Sequence, residues 1–400
     1  MIRTMAHTFV NRILLVCSSF AIVVLSAKYF GAEGRGIISL FMLALTIVNA
    51  VSFIGSGSSL TLLQPQLGTS NLLLPALFWI VISVLSVSIL LYFFSLIAVQ
   101  YFIHLLLLGL LNGLFAMHLN LLLGEERIKE YNVLQLLQSM LLLVSLILFV
   151  FAFHRADVIV FFYSLYISFF VCVLICTVLY VKQWRKISVD QVFDNSKSLL
   201  SNGFQMQSGA IIQSLNYRVA YFFLESWVGL SAVGIFSTTI AIVEGLWTAS
   251  KSIALVMFAR VANMNDQMQS KLMAKKYAAI GLLVTIVLWL IACLIPEKCY
   301  QLIFGLEFSS IPLLLLIMGP GIILFGYVYM VSHYFSGIAL HKYNIFASAV
   351  GLFTCIVSCV VFIPNFNELG AAWASVFSFV STGIVLLILF FKRNDRTILS

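Results

Sequence analysis

Long apolar stretches alternate along this chain with short segments that carry almost all of its charge. Between Leu72 and Gly124 there is no Lys, Arg, Asp or Glu in 53 residues, enough for two membrane spans of about 20 residues each with a turn between them. Taking breaks at Gly, Pro and charge clusters, the pattern predicts twelve helices, at roughly 10–30, 37–62, 72–95, 99–123, 131–153, 158–181, 204–226, 231–257, 275–295, 309–335, 344–363 and 368–391. The fold class that follows is an all-α polytopic membrane protein. The start, MIRTMAHTFVNR before an apolar run, has the charge order of a signal peptide without a short h-region and small-residue cleavage site, and reads as an uncleaved first span.

Composition agrees. Only 9% of the residues are charged and 62% are hydrophobic, with a mean hydropathy of +1.11, against about a quarter charged in a soluble domain. A water-soluble domain and a single-anchor protein are both excluded. Orientation follows from Lys and Arg in the loops, which are retained inside. With both termini cytoplasmic, inner segments hold Arg3, Arg12, Arg127, Lys129, Lys182, Arg185, Lys186, Lys197, Arg260, Lys271, Lys275, Lys276, Lys342, Lys392, Arg393 and Arg396. Outer segments hold Lys28, Arg35, Arg155 and Lys298, and Arg218 and Lys251 fall within spans. The net charge of +8 is thereby accounted for by basic loops beside anionic lipid head groups, without nucleic acid. Cys172/Cys176 and Cys355/Cys359 are spaced i, i+4 in apolar runs and read as small packing residues; CxxC is absent and no His stands at ligand spacing, so neither a metal nor another cofactor is expected.

YFGAEGRGIIS follows span 1 and WVGLSAVGIFS follows span 7. Gly31, Gly36, Ile37 and Ser39 recur as Gly229, Gly234, Ile235 and Ser237, all at an offset of 198. The glycines suit a tight turn with positive φ and a close approach of the next helix. The repeat predicts two six-helix bundles, 1–181 and 204–400, joined by a cytoplasmic linker at 182–203 that carries KQWRKISVDQVFDNSK. Six spans per half give both halves one orientation, hence a pseudo-two-fold axis along the membrane normal.

At this repeat the sequence resembles the Wzx-type O-antigen and polysaccharide repeat-unit flippases, a family within the multidrug/oligosaccharidyl-lipid/polysaccharide exporter superfamily. The resembling stretches are AKYFGAEGRGIISLFMLAL, LNYRVAYFFLESWVGLSAVGIFSTTIAIVEGLW at 215–247, FGLEFSSIPLLLLIMGPGIILFG and NELGAAWASVFSF at 367–379. The resemblance implies a two-bundle transporter of the bacterial inner membrane that moves undecaprenyl-diphosphate-linked oligosaccharide to the periplasmic leaflet for lipopolysaccharide or capsule biosynthesis. The partners it implies are that lipid-linked cargo, the bilayer, and the polymerase and chain-length proteins of the same pathway. The chain departs from the pattern at Ala220, where many relatives have an acid, and at Lys251, where they have a proline.

Polar side chains within spans are costly and usually face a bundle interior or a wet cavity. On a 100° helix, Gln207, Ser214, Arg218, Tyr221 and Glu225 share one face of span 7; Ser237, Glu244, Thr248 and Lys251 share one of span 8; Arg12, Ser19 and Ser26 share one of span 1. These stripes are expected to line a cationic central cleft, where Arg12, Gln207, Ser214, Arg218, Tyr221, Glu244 and Lys251 would meet the diphosphate or acidic sugars. The spacing leaves open that Glu244 and Lys251 neutralise each other, with Arg218 across the interhelical contact. His104 and His118 in span 4 read as interhelical hydrogen-bonding groups rather than a proton relay, and Gly109 and Gly113 as close packing within the chain.

The alternative function is an ion-coupled drug or metabolite antiporter, for which Glu244 is the only acid in mid-span. A polymerase or ligase would need a sizeable outer loop, and no outer segment exceeds about 15 residues. A Walker A motif is absent as well, so the chain is expected to be a transporter and not an enzyme. The orientation has a direct check: a topology reporter fused after Lys186 should report the cytoplasm, and a periplasmic signal there would reverse the assignment of both termini.

Overall fold

The computed structural model describes residues 2–154, 157–184, 192–264 and 266–392. Arg155, Arg185, Lys186, Arg393 and Arg396 of the charge count, and 185–191 of the expected linker, lie outside them. Among the described residues the fold is helical throughout: α1 (Ile2–Ser56), α2 (Ser58–Leu67), α3 (Thr69–Phe93), α4 (Phe102–Gly124), α5 (Ile128–Ile147), α6 (Val158–Leu179), α7 (Val181–Trp184), α8 (Val192–Arg218), α9 (Ala220–Trp227), α10 (Leu230–Ala262), α11 (Gln267–Leu294), α12 (Glu297–Phe304), α13 (Ile311–Gly337) and α14 (His341–Lys392).

At 55 and 52 residues, α1 and α14 would each run to about 80 Å if straight, more than twice the hydrocarbon thickness of a bilayer. Each is divided by one non-helical residue, Gly31 (φ +69°) in α1 and Asn367 (φ +50°) in α14. In α14 the two arms fold onto one another, with the Phe362 and Phe377 rings stacked, centroids 5.4 Å apart. Counted by arms, with α8 and α9 as one segment, the helices supply the twelve spans that the apolar pattern predicts. Nine described helices are by themselves long and apolar enough to cross a membrane. Their outward faces carry large apolar side chains, among them Phe93, Leu283, Leu294 and Phe353, each more than 60% exposed, an arrangement that water would not tolerate and lipid favours.

The expected linker needs correction. Residues 192–203 are helical, and α8 starts well before 204. Although polar by composition, this stretch is amphipathic: Asn195, Leu199 and Gly203, spaced i, i+4, i+8, are all buried. Asn195 Nδ2 donates to the Asn71 carbonyl at 3.2 Å, and Gly203 lies directly against the Ile54 carbonyl. Span 2 also differs, breaking at Gly57 and resuming as α2.

Internal contacts divide the chain into two compact units, Met1–Phe30 with Ile37–Ile211 and Gly31–Gly36 with Ile212–Ser400. In the first, α4 is central, packing on α2, α3 and α6. Gly109 and Gly113 let it approach Val84, Val48 and Ile80, so this GxxxG serves packing within the chain. The second unit is built around α13, which packs on α10, α11 and α14. Its glycines seat neighbours closely: Gly319 under Trp289, Gly321 against Phe379 and Gly326 against Gly281 of α11.

The second unit also contains both copies of the repeated turn. Gly31 (φ +69°) and Gly229 (φ +119°) both adopt the left-handed backbone that glycine permits. Gly36 then lies against the Leu230 carbonyl and Gly234 against the Ala32 carbonyl. The contact is reciprocal, because 32 to 230 and 36 to 234 are the same 198-residue offset as the sequence repeat. Glu307 caps the start of the helical arm after Gly31, its carboxylate accepting the Ala32 N–H at 2.5 Å.

A methyl group at either approach glycine would meet backbone, which cannot rotate away. Gly234→Ala should therefore destabilise the protein by about 1–3 kcal/mol. Gly245→Ala, in α10 with open space around its α-carbon, should be neutral or stabilising by up to about 1 kcal/mol. Thermal unfolding in detergent compares the two, and equal midpoints would mean that the glycine contact does not limit stability.

Candidate functional site

The second unit collects polar and aromatic side chains where α8, α10, α13 and α14 meet. At the centre is Trp247 of α10, 1% exposed, which donates its indole N–H to the Ile322 carbonyl at 3.0 Å. The rings of Phe325, Phe379, Tyr329 and Tyr217 surround it at centroid distances of 5.3, 5.3, 5.7 and 5.9 Å. The hydroxyls of Tyr217 and Tyr329 hydrogen-bond at 3.2 Å, and Gln213 Nε2 donates to Tyr217 at 3.1 Å. One residue earlier on α8, Asn216 accepts from Ser378 Oγ at 2.5 Å. Tyrosine and tryptophan suit this place because each adds apolar bulk and one hydrogen bond that the neighbouring helix can satisfy.

Charge is laid over this aromatic floor. Arg218, the last residue of α8, donates through Nη2 to Glu244 Oε1 at 3.0 Å. Both side chains keep about a third of their surface, 29% and 32%. The bond to Glu244 engages one of the five guanidinium N–H donors, so the pair can bind a further acceptor while its net charge stays near zero. Lys251, two turns along α10 from Glu244, is held differently: its ammonium lies 5.3 Å from the Tyr329 ring centroid and 6.0 Å from that of Trp247. No carboxylate lies within ion-pair distance of it among the described residues. The net charge of the cluster is therefore that of Lys251.

The structure pairs Glu244 with Arg218, and Lys251, which the spacing on α10 offered as a partner for Glu244, lies over the rings instead. Tyr221 is buried at 3% exposure in α9, beyond a break in the helix at Val219. Ser214 lies half-buried on α8, one turn before Arg218. Arg12 and Gln207 belong to the first unit, Arg12 exposed and Gln207 half-buried. Within the polar stripe on α10, Ser237 Oγ donates to the Gly234 carbonyl at 3.0 Å and Thr248 Oγ1 to that of Glu244 at 3.0 Å. His104 Nδ1 hydrogen-bonds the Tyr166 hydroxyl across to α6 at 3.0 Å, as an interhelical group. His118 Nδ1 instead meets the Leu114 carbonyl of its own helix at 2.8 Å.

Sequence reasoning passed over Tyr217, Trp247, Phe325, Tyr329 and Phe379. The i, i+4 spacing of Trp247 and Lys251 on α10 was a usable signal for the first contact. Nothing in the sequence brings Tyr329 or Phe379 to the same place.

No family model and no curated protein matches the chain. Solved structures do. A multidrug resistance MATE family transporter of the MOP superfamily, inward-facing, superposes with a TM-score of 0.75 at 16% identity, over 95% of this chain and 94% of that one. The lipid II flippase MurJ in an inward closed conformation gives a TM-score of 0.76 at 16% identity, over 98% and 88%. A MOP superfamily transporter from Pyrococcus furiosus, whose binding pocket is described as having reverse polarity, gives 0.57 at 15%, over 97% and 92%. At these identities the likeness is one of fold, and the chain has the two-bundle helical transporter fold found in the MOP superfamily.

Proposed function

We propose that this chain translocates undecaprenyl-diphosphate-linked oligosaccharide, an O-antigen or capsule repeat unit, from the cytoplasmic to the periplasmic leaflet of the bacterial inner membrane by alternating access. Both termini are cytoplasmic in this reading, and the chain is a transporter and not an enzyme. The observation that carries it is Lys251, a cation in mid-unit that lies over aromatic faces and has no carboxylate within ion-pair distance among the described residues. Holding an ammonium in a low-dielectric setting without a carboxylate is expensive, and an incoming phosphate relieves the cost. Arg218 adds planar donors beside it, positioned by Glu244. A diphosphate carries the charge that this cluster lacks, while a polyprenyl tail remains in lipid. The likeness of fold to the lipid II flippase MurJ supports a lipid-linked cargo of this class.

Glu244 favours a second reading, an ion-coupled drug or metabolite antiporter, a class to which the MATE likeness also points. In such a transporter a carboxylate takes up the coupling ion or a cationic drug. Here that carboxylate is engaged by Arg218, which leaves the cluster attractive to anions.

Deletion of the gene in its host, followed by complementation, separates the readings. Deletion should abolish long surface glycan and trap unpolymerised lipid-linked units on the inner leaflet. Lys251→Gln, expressed at the native level, should restore at most about a tenth of the glycan, a loss of about 1.4 kcal/mol in recognition, and Lys251→Arg most of it. Full glycan from Lys251→Gln would remove Lys251 from the site. Single units accumulating on the outer leaflet would indicate a polymerase, and unchanged glycan with altered drug tolerance an antiporter.

A further inference from the structure

The second unit ends, on one side, in a belt of cations. Helix α10 reaches that side at Arg260, α11 leaves it through Lys271, Lys275 and Lys276, α13 returns to it, and α14 leaves past Lys342 and comes back at Lys392. Asp266 is the one acid described in these segments, and it is occupied in capping α11, accepting the N–H groups of Met268 at 2.8 Å and Gln269 at 3.1 Å. Four of the cations lie over aromatic rings. Arg260 is 5.9 Å from the Tyr277 centroid and donates to its hydroxyl at 2.7 Å. Lys271 lies 5.8 Å over Phe390, Lys275 5.6 Å over Phe391, and Lys342 5.7 Å over Tyr343. The rings hold the charges at the ends of the spans, where side chains reach the interface.

The corresponding ends in the first unit are built differently. There Arg127, Lys129, Lys182 and Lys197 are matched by Glu125, Glu126, Glu130 and Asp194, and Arg127 is bound to Glu125 at 3.3 Å and Glu130 at 3.2 Å. Membrane insertion does not explain this asymmetry. The positive-inside bias counts Lys and Arg and is nearly indifferent to neighbouring acids, so both units satisfy it. A charged lipid surface responds instead to net charge, and among the described residues the first unit, even with Arg3 and Arg12 added to its matched set, carries less of it than the second, where six cations face Asp266 alone.

We infer that the basic end of the second unit is a binding surface for anionic phospholipid head groups, selecting phosphatidylglycerol-type phosphodiesters over zwitterionic lipids. Lysine suits this role: a compact, mobile point charge follows a head group that exchanges laterally, where arginine's fork would demand one orientation. The surface lies apart from the Lys251 cluster and stands independently of the cargo.

Electron spin resonance of the full chain in phosphatidylcholine vesicles, with spin-labelled phosphatidylglycerol or phosphatidylcholine as probe, measures the selectivity of the lipid shell. Phosphatidylglycerol should be preferred at least twofold at low salt, and the preference should vanish near 1 M salt, where the Debye length falls to about 3 Å. The combined variant Lys271→Gln/Lys275→Gln/Lys276→Gln should lose it, the matching Arg variant should keep it, and Lys129→Gln/Lys182→Gln in the first unit should leave it unchanged. A preference that survives the Gln variant, or that falls equally with the first-unit variant, overturns the assignment. So does its abolition by millimolar inorganic phosphate, which would mark a site for soluble phosphate.

Discussion

A peptide group without a hydrogen-bond partner in hydrocarbon costs several kcal/mol, and most of this structure answers that one constraint. It explains why the chain is helical wherever it is apolar, and why its sharpest reversals are single residues with positive φ. Gly31, Gly229, Gly305 and Asn367 each turn the backbone within one residue and so interrupt few backbone bonds. The constraint extends to hydroxyls. Ser26, Ser164 and Thr382 return their side-chain donors to carbonyls of their own helix, which lets small polar residues sit at helix contacts without a water molecule. Close approach of helices then rests on glycine, and the reciprocal contact of Gly36 and Gly234 uses it at the positions where the repeat recurs.

Charge meets the same constraint by two routes. Arg218 and Glu244 neutralise each other, an arrangement in which the bond offsets part of the desolvation cost of both charges. Lys251 has rings instead, and an aromatic quadrupole returns only about 0.5–2 kcal/mol. The two cations flagged together in the sequence are thus energetically unequal. One is an ion pair, and the other is a charge held over rings with no carboxylate within ion-pair distance among the described residues.

What the sequence made legible follows from which interactions are local. Span number and the repeat at Gly31 and Gly229 follow from the apolar pattern and from glycine spacing along the chain, and the structure carries both, whereas the stripe expected on span 7 is interrupted at Val219. The start of α8 was hidden because composition was read ahead of periodicity: VFDNSKSLLSNG looks like a polar connection until the buried face of Asn195, Leu199 and Gly203 is traced. Tyr329 and Phe379 were hidden for a different reason. Their contact with Trp247 joins residues about 80 and 130 positions apart, and only packing through α13 brings them together. The partner of Glu244 was undecidable for the same cause, since Lys251 on its own helix and Arg218 on another satisfy the spacing equally well.

The two cation populations of the second unit differ in what surrounds them, and this bears on how each can act. At the basic end, Arg260, Lys271 and Lys342 lie within about one turn of a helix end, where mobile ions screen interactions beyond about 8–10 Å at physiological strength. Attraction there is diffuse and salt-sensitive, which suits ligands as exchangeable as lipid head groups. Lys251 lies within an aromatic cluster, where the effective dielectric is lower and salt screens less. Interaction there depends on contact and geometry. Salt should weaken the first without equally weakening the second, because the same side-chain chemistry has been placed in two media, and the medium sets whether a lysine attracts a surface or recognises a group.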